Sequence, residues 1–231
     1  MNFSQILKDY PYTTELHAHS FPVSGCGDFP ADEVVKFYKE AGTTSLVLTN
    51  HLGPFNYTEG ADFYLSDYYK AREAAGNDIN VILGVEMRFT ENSNDYLVYG
   101  VSEEDIPRFI ELVPFGIENF YKEVKNDKNV IIQAHPFRKG LTLAPEGSVD
   151  GIESLNLHPS HNGRIAIATR YAKLKNMLVT AGTDFHHEGH QALCLMRTTN
   201  EMKNSFDIAD AIKSREVIFD CSGHIVIPYM Y

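Results

Sequence analysis

The sequence predicts an α/β fold, a TIM-like barrel of mostly parallel strands wrapped by helices, and two observations predict it. Short β-rich apolar runs alternate with amphipathic stretches along the whole chain, as βα units do. Chemically active side chains then follow those runs in phase: His17 and His19, Asn50 and His51, Glu86, His135, and Asp184 with His186 each close an apolar segment. Barrel sites are assembled at the carboxyl ends of strands, so such a phase brings distant residues to one point, whereas histidines scattered through a core would show none. The chain has 231 residues, 43% of them hydrophobic and 22% charged, which is enough for one sizeable core. One domain over 1–231 is therefore expected.

The strands are expected over 13–16, 45–48, 80–85, 96–101, 129–132, 151–155, 177–181 and 193–198. Over 30–41, Val34, Val35, Phe37 and Tyr38 recur at helical spacing, with Asp28 ahead of them as a candidate cap. The stretches 62–75, 116–125, 162–175 and 205–213 read as helices in the same way. No run of about 18 apolar residues exists to span a membrane. The opening MNFSQILKDYPYT lacks the basic-then-apolar order of a secretory signal, so a cytoplasmic location is expected. Cys26, Cys194 and Cys221 are widely spaced and odd in number, which suits packed thiols in a reducing compartment. A net charge of −11 argues against a nucleic-acid partner, which needs clustered Lys and Arg, and suits metal cations. The apolar, aromatic ending FDCSGHIVIPYMY is expected to pack on the body of the protein or on a second subunit.

In ELHAHS, His17 and His19 stand two apart, which on a strand directs both imidazoles to one side, where they can share an ion. Asp28, in the Gly-rich SGCGD, is either a further ligand or the helix cap. VLTNHLG ends an apolar run in Asn50 and His51 before a Gly53–Pro54 break that exposes the imidazole. In ILGVEMRF, Glu86 interrupts an apolar run, where a carboxylate is costly unless paired or coordinated. A salt bridge to Arg88 is one explanation, and coordination is favoured. IIQAHPFRKG supplies His135 and, beyond Pro136, Arg138, whose planar guanidinium suits a phosphate. LVTAGTDFHHEGH repeats the two-residue spacing with Asp184 and His186; His187 and His190 follow as neighbours of the site or as exposed residues. His17, His19, His51, Glu86, His135, Asp184 and His186 are seven oxygen or nitrogen donors, more than one ion at an open site would use. At least two divalent ions of zinc, manganese or iron are implied.

Taken in order, HAH, TNH, GVE, AHPFR and GTDFH resemble the motifs of the polymerase and histidinol phosphatase (PHP) family of metal-dependent phosphoesterases, over 13–186. The resemblance implies a distorted barrel of seven strands holding two or three ions. It assigns His17, His19, Glu86 and Asp184 to the first ion, with Glu86 bridging to a second bound by His135. His51 and His186 go to a third, with Asp28 in the remaining place. Family members often have a histidine where DYLVYG here has Asp95, so either Asp95 coordinates or the site is bimetallic. Asp95 also opens its strand, against the phase of the others.

The expected activity is hydrolysis of a small-molecule phosphomonoester by a water shared between ions about 3.5–4 Å apart. Arg138 would neutralise developing charge, and His158 or a bound water would protonate the leaving group. IESLNLHPSHNGR places Glu153, Asn156, His158 and His161 near the pocket. An amidohydrolase-type enzyme is the rival, but the two further strand-end histidines and bridging residue of that type cannot be completed here. A non-catalytic metal-binding domain is the other, and it would have lost more ligands.

Overall fold

The computed structural model describes residues 3–229. A short helix α1 (Phe3–Asp9) precedes β1 (Tyr12–Ala18), and α2 (Ala31–Glu40) carries the chain to β2 (Ser45–Leu48) and the short β3 (His51–Leu52). Helix α3 (Gly60–Ala75) leads to β4 (Asn80–Leu83), β5 (Val85–Arg88) and β6 (Asp95–Tyr99). Helices α4 (Ile106–Leu112) and α5 (Gly116–Val124) precede β7 (Val130–Gln133) and β8 (Gly151–Asn156), followed by α6 (Ile165–Lys175), β9 (Leu178–Gly182) and β10 (Cys194–Thr198). Helix α7 (Ser205–Ser214) and a hairpin of β11 (Ile218–Cys221) and β12 (His224–Val226) follow. The apolar C-terminal stretch forms this hairpin against β10, with 230–231 outside the described residues.

The strands form two six-stranded mixed sheets, in the orders β12, β11, β10, β1, β2, β4 and β3, β5, β6, β7, β8, β9. The α/β class is as expected, but the ladders do not close into a barrel. The run expected over 80–85 breaks at Gly84, where a Cβ would stand 2.7 Å from Val47 and 2.8 Å from Thr49. There β4 leaves one sheet and β5 enters the other, as β2 and β3 do on either side of Asn50. The pairing is also less parallel than expected, because β6 runs antiparallel to both β5 and β7. A parallel crossover needs about a dozen residues or more, and the short link between Arg88 and Asp95 cannot supply one.

Strands buried on both faces read as continuous apolar runs, and alternation divides their residues between separate clusters. Val47 joins Leu16, Ile82, Leu97 and Ile132 in one core, while Leu46 and Leu48 face Val34, Val35 and Tyr38 of α2. Tyr96, Val98 and Ile131 point the other way from Leu97 and Ile132, onto Phe109 of α4 and Phe120 of α5. Asn204 caps α7 by accepting from the N–H groups of Phe206 and Asp207. These layers fix the strand ends from which the polar residues project.

Candidate functional site

His17 lies near the end of β1 and His19 just beyond it, facing the same side, with ring centroids 5.1 Å apart. Their Nε2 atoms each lie 3.2 Å from Glu86, at Oε1 and Oε2 respectively. His51 on β3 pairs in parallel register with Glu86 on β5, its Nδ1 3.1 Å from Oε2. His135, just past β7, brings Nε2 to 3.2 Å from Oε1. Past β9, Asp184 Oδ1 stands 3.4 Å from His17 Nε2 and 3.3 Å from His19 Nε2. Glu86 thus sits among four imidazoles drawn from two separate strand ends and a neighbouring strand.

Two of these residues hold unusual backbone: His135 at φ 30° and Asp184 at φ 58° are in the left-handed region, which non-glycine residues enter at a cost. Gly182 makes the close crossing possible, since a Cβ there would lie 2.6 Å from His17 Cβ and 2.8 Å from Glu153 Oε1. Behind the ring of donors, Glu153 Oε1 lies 2.9 Å from His17 Nδ1, and its Oε2 accepts from His135 N and Asn156 Nδ2 at 3.0 and 2.8 Å. His19 Nδ1 lies 3.2 Å from Ser24 Oγ, and His186 Nδ1 lies 2.8 Å from the Asp184 carbonyl. A proton held on Nδ1 by such a partner leaves Nε2 with the lone pair that a metal takes.

The atoms facing one another fit a metal. His17 Nε2, His19 Nε2, His51 Nδ1 and Glu86 Oε2 are buried without a hydrogen bond, despite lying so close together. Imidazole and carboxylate lone pairs repel at this distance unless a proton or a cation lies between them. Three groupings of these side chains could each hold an ion: His17, His19 and Glu86; His17, His135 and Asp184; and His51, Glu86 and Asp95. Burial opposes ionisation of Glu86, but the His17 imidazole and the hydrogen bond with His135 outweigh it and hold its carboxyl well below the usual range. Asp184 is likewise held low, against its burial, by His17, His19 and Arg138. Burial lowers His51 and His186 to about 3 each, so both are neutral at pH 7, the form that ligates metal.

Several expected roles change in the structure. Asp28 is exposed and pairs with His187 Nδ1 at 2.5 Å, outside the cluster. It is not the cap of α2 either, whose first turn follows Pro30 without a side-chain cap. Cys26 turns toward the cluster in its stead, with its Sγ 3.1 Å from His186 Nε2. Nothing in SGCGD shows which of the two residues turns inward, because loop geometry decides it. Although the cysteine opens onto the pocket, partial burial and the charges of Glu86 and Asp184 push its thiol up to about 12.

Arg88, expected as a possible mate of Glu86, instead grips Asp95 with two bonds of 2.6 Å. Any ion at Asp95 must share that carboxylate with the guanidinium. Since β6 is antiparallel, its first residue lies beside the last residues of its neighbours, which explains the apparent loss of phase at Asp95. Arg138 Nη2 is anchored to Asp184 Oδ2 and, at 2.6 Å, to Asn156 Oδ1. The Ser160 N–H donates to His158 Nδ1 at 3.1 Å, so the ring proton resides on Nε2. Burial holds this histidine down to about 4.

All of this opens on a cleft of about 670 Å³ lined by His51, Glu86, Asp95, His135, Asp184 and His186 together with Arg88, Arg138, His158 and His161. Phe55 and Val23 add apolar wall. A depression of about 650 Å³ elsewhere, beside Tyr68, Arg72 and Phe206, contains none of the clustered donors. No helix among the described residues is long and apolar enough to cross a membrane.

Among solved structures, the chain is similar to a two-domain protein from Bacteroides vulgatus containing a predicted PHP-like metal-dependent phosphoesterase, at 17% identity and TM-score 0.67. That match covers 90% of this chain and 64% of the other, so the chain spans less than two thirds of its length. It is also similar to PsfC from Pseudomonas syringae, at 14% identity and TM-score 0.60, covering 86% of this chain and 87% of that one. At these identities the likeness is one of fold. No curated relative matches the chain. The PHP domain family model matches residues 15–220, a span that contains every clustered histidine and carboxylate, and the chain therefore belongs to the PHP family.

Proposed function

We propose that this protein is a metal-dependent phosphoesterase that hydrolyses a small-molecule phosphomonoester. Membership of the PHP family supports a metal-dependent hydrolase, and the single observation that carries the reading is Glu86 set among four imidazoles, with its Oε2 and the facing nitrogens of His17, His19 and His51 left without a hydrogen bond. When bound, two or three divalent ions of zinc, manganese or iron would lower the pKa of water and neutralise phosphoryl oxygens. His17, His135, Glu86 and Asp184 would hold ions on one side of the cluster with Asp95 beside them, leaving His19 and His51 to face a further ion.

Arg138 is the anion contact: Asn156 and Asp184 fix its guanidinium at the cleft wall, and its buried Nε has no hydrogen-bond partner. That donor is directed by a rigid frame and suits a phosphate oxygen. His158 acts as a neutral hydrogen-bond donor through Nε2 toward the ester or phosphoryl oxygen. It is a poor acid, because protonating Nδ1 would set two donors against each other at Ser160 N. Water then supplies the leaving-group proton. A cleft of about 670 Å³ admits a small phosphate ester.

The test is elemental analysis of the purified protein beside manganese-supplemented hydrolysis of an aryl phosphate, for the wild type and His17→Ala. The expected result is bound ions and turnover in the wild type, with both lost in the variant. Failure of the supplemented wild type to retain any ion, with no turnover, would refute the reading.

A further inference from the structure

We propose that Cys26 is a thiolate ligand of the metal centre, completing with His19, His51 and His186 a nitrogen-and-sulfur site for a borderline-soft divalent ion, zinc above all. This inference rests on the metal-centre reading and adds to it a ligand of different chemistry. One donor atom from each of these four residues lies within 4.8 Å of every other. A tetrahedral ion with ordinary zinc bond lengths sets its ligands about 3.3–3.6 Å apart, so a small inward movement of the side chains closes the site.

Independent features point the donors at one another. His19 is fully buried; its Nε2 and His51 Nδ1 have no hydrogen bond, and both also face Glu86 Oε2, at 3.2 and 3.1 Å. His186 Nδ1 is engaged by the Asp184 carbonyl, which frees Nε2 to face the sulfur at 3.1 Å. The loop bearing Cys26 is tied at both ends, by Phe21 N to the Phe29 carbonyl at 2.8 Å and by Asp28 N to the His186 carbonyl at 3.0 Å. Gly27 lets the chain pass its own backbone, since a Cβ there would stand 3.3 Å from the Ser20 carbonyl carbon. The other thiols are elsewhere, Cys194 and Cys221 facing each other 3.2 Å apart on paired strands.

Chemically, one sulfur and three imidazole nitrogens form a tetrahedral set suited to zinc, whereas manganese and magnesium prefer oxygen. As the ion binds, Sγ releases its proton to solvent and donates a lone pair, with no change of oxidation state. This site would therefore favour zinc over manganese in direct competition.

The experiment is replacement with Co2+ after chelation of the full chain, followed by near-ultraviolet absorption. Wild type should show a thiolate-to-cobalt charge-transfer band. Cys26→Ser should lose that band and retain less cobalt, and Cys26→Asp should recover cobalt without the band. As a check independent of any variant, iodoacetamide at alkaline pH, where the raised thiol ionises appreciably, should label Cys26 faster in the chelated protein than in the cobalt form. Bound cobalt without the band, a band that survives in Cys26→Ser, or labelling indifferent to cobalt would each overturn the assignment while leaving the metal centre standing. Absence of cobalt binding altogether would overturn both.

Discussion

Replacing Glu153 by Gln tests whether the buried residue behind the histidines tunes the centre. Its carboxylate lies 2.9 Å from His17 Nδ1 and accepts from His135 N and Asn156 Nδ2, so all three neighbours are donors. An amide has one acceptor oxygen and one NH2 group, and no orientation serves three donors from both sides. With the NH2 toward His17, that ring must carry its proton on Nε2 and ceases to be a ligand. With the NH2 toward His135 N and Asn156, two buried donors lose their acceptor, at about 1–3 kcal/mol each. Either way, metal affinity should fall about 10–100-fold, the usual effect of losing the group that orients a ligating histidine. Competition against a chelator of known affinity, run on Glu153→Gln and wild type, measures it. Equal affinities in a variant that unfolds with the same denaturant midpoint would refute the argument that Glu153 sets the His17 tautomer.

Arg138→Ala should leave ion content unchanged and raise KM for an aryl phosphate about 10–100-fold, the loss of a charge-assisted bond of about 1.5–3 kcal/mol; a drop in bound metal would instead show that its contact with Asp184 is what matters. Asp28→Asn should alter neither metal content nor turnover, because its carboxylate is engaged with exposed His187; steady-state kinetics with elemental analysis checks this. Burial raises Glu15 from 4.5 to about 7, although the N–H groups of His17 and Thr183 and the Tyr38 hydroxyl all donate to it. The folded state thus binds this proton more tightly than the unfolded chain, a stabilisation complete below about pH 4.5 and lost as pH rises through 7, worth about 3 kcal/mol. Urea unfolding of the chelated protein at pH 5 and pH 8 should show this loss, and Glu15→Gln should flatten it.

Much of the site is legible in the sequence because its donors obey local rules. A two-residue spacing on a strand sends His17 and His19 to one side whatever the rest of the chain does, and an apolar run that stops at His135 or Asp184 marks a strand end. Side-chain alternation is built into extended backbone, so these features survive without tertiary context. The helices over 30–41, 62–75, 116–125, 162–175 and 205–213 follow from periodicity in the same way, and the structure moves their ends by a few residues. Helix α4 and the hairpin of β11 and β12 escape the reading, since short elements offer less than a full period of pattern to detect.

What the sequence by itself determined is the α/β class, the run of strand-end donors and the acidic, histidine-rich chemistry that points to cations. Only the tertiary structure decided that β6 runs backwards and so returns Asp95 to the site, that Arg88 grips that carboxylate, and that Cys26 rather than Asp28 turns inward. The physical reason is the range of the forces involved. Strand alternation and chain breaks are set by neighbours a few residues away, whereas strand direction, sheet closure and the aim of a loop depend on contacts between segments distant in the chain, such as Asp28 N with the carbonyl of His186.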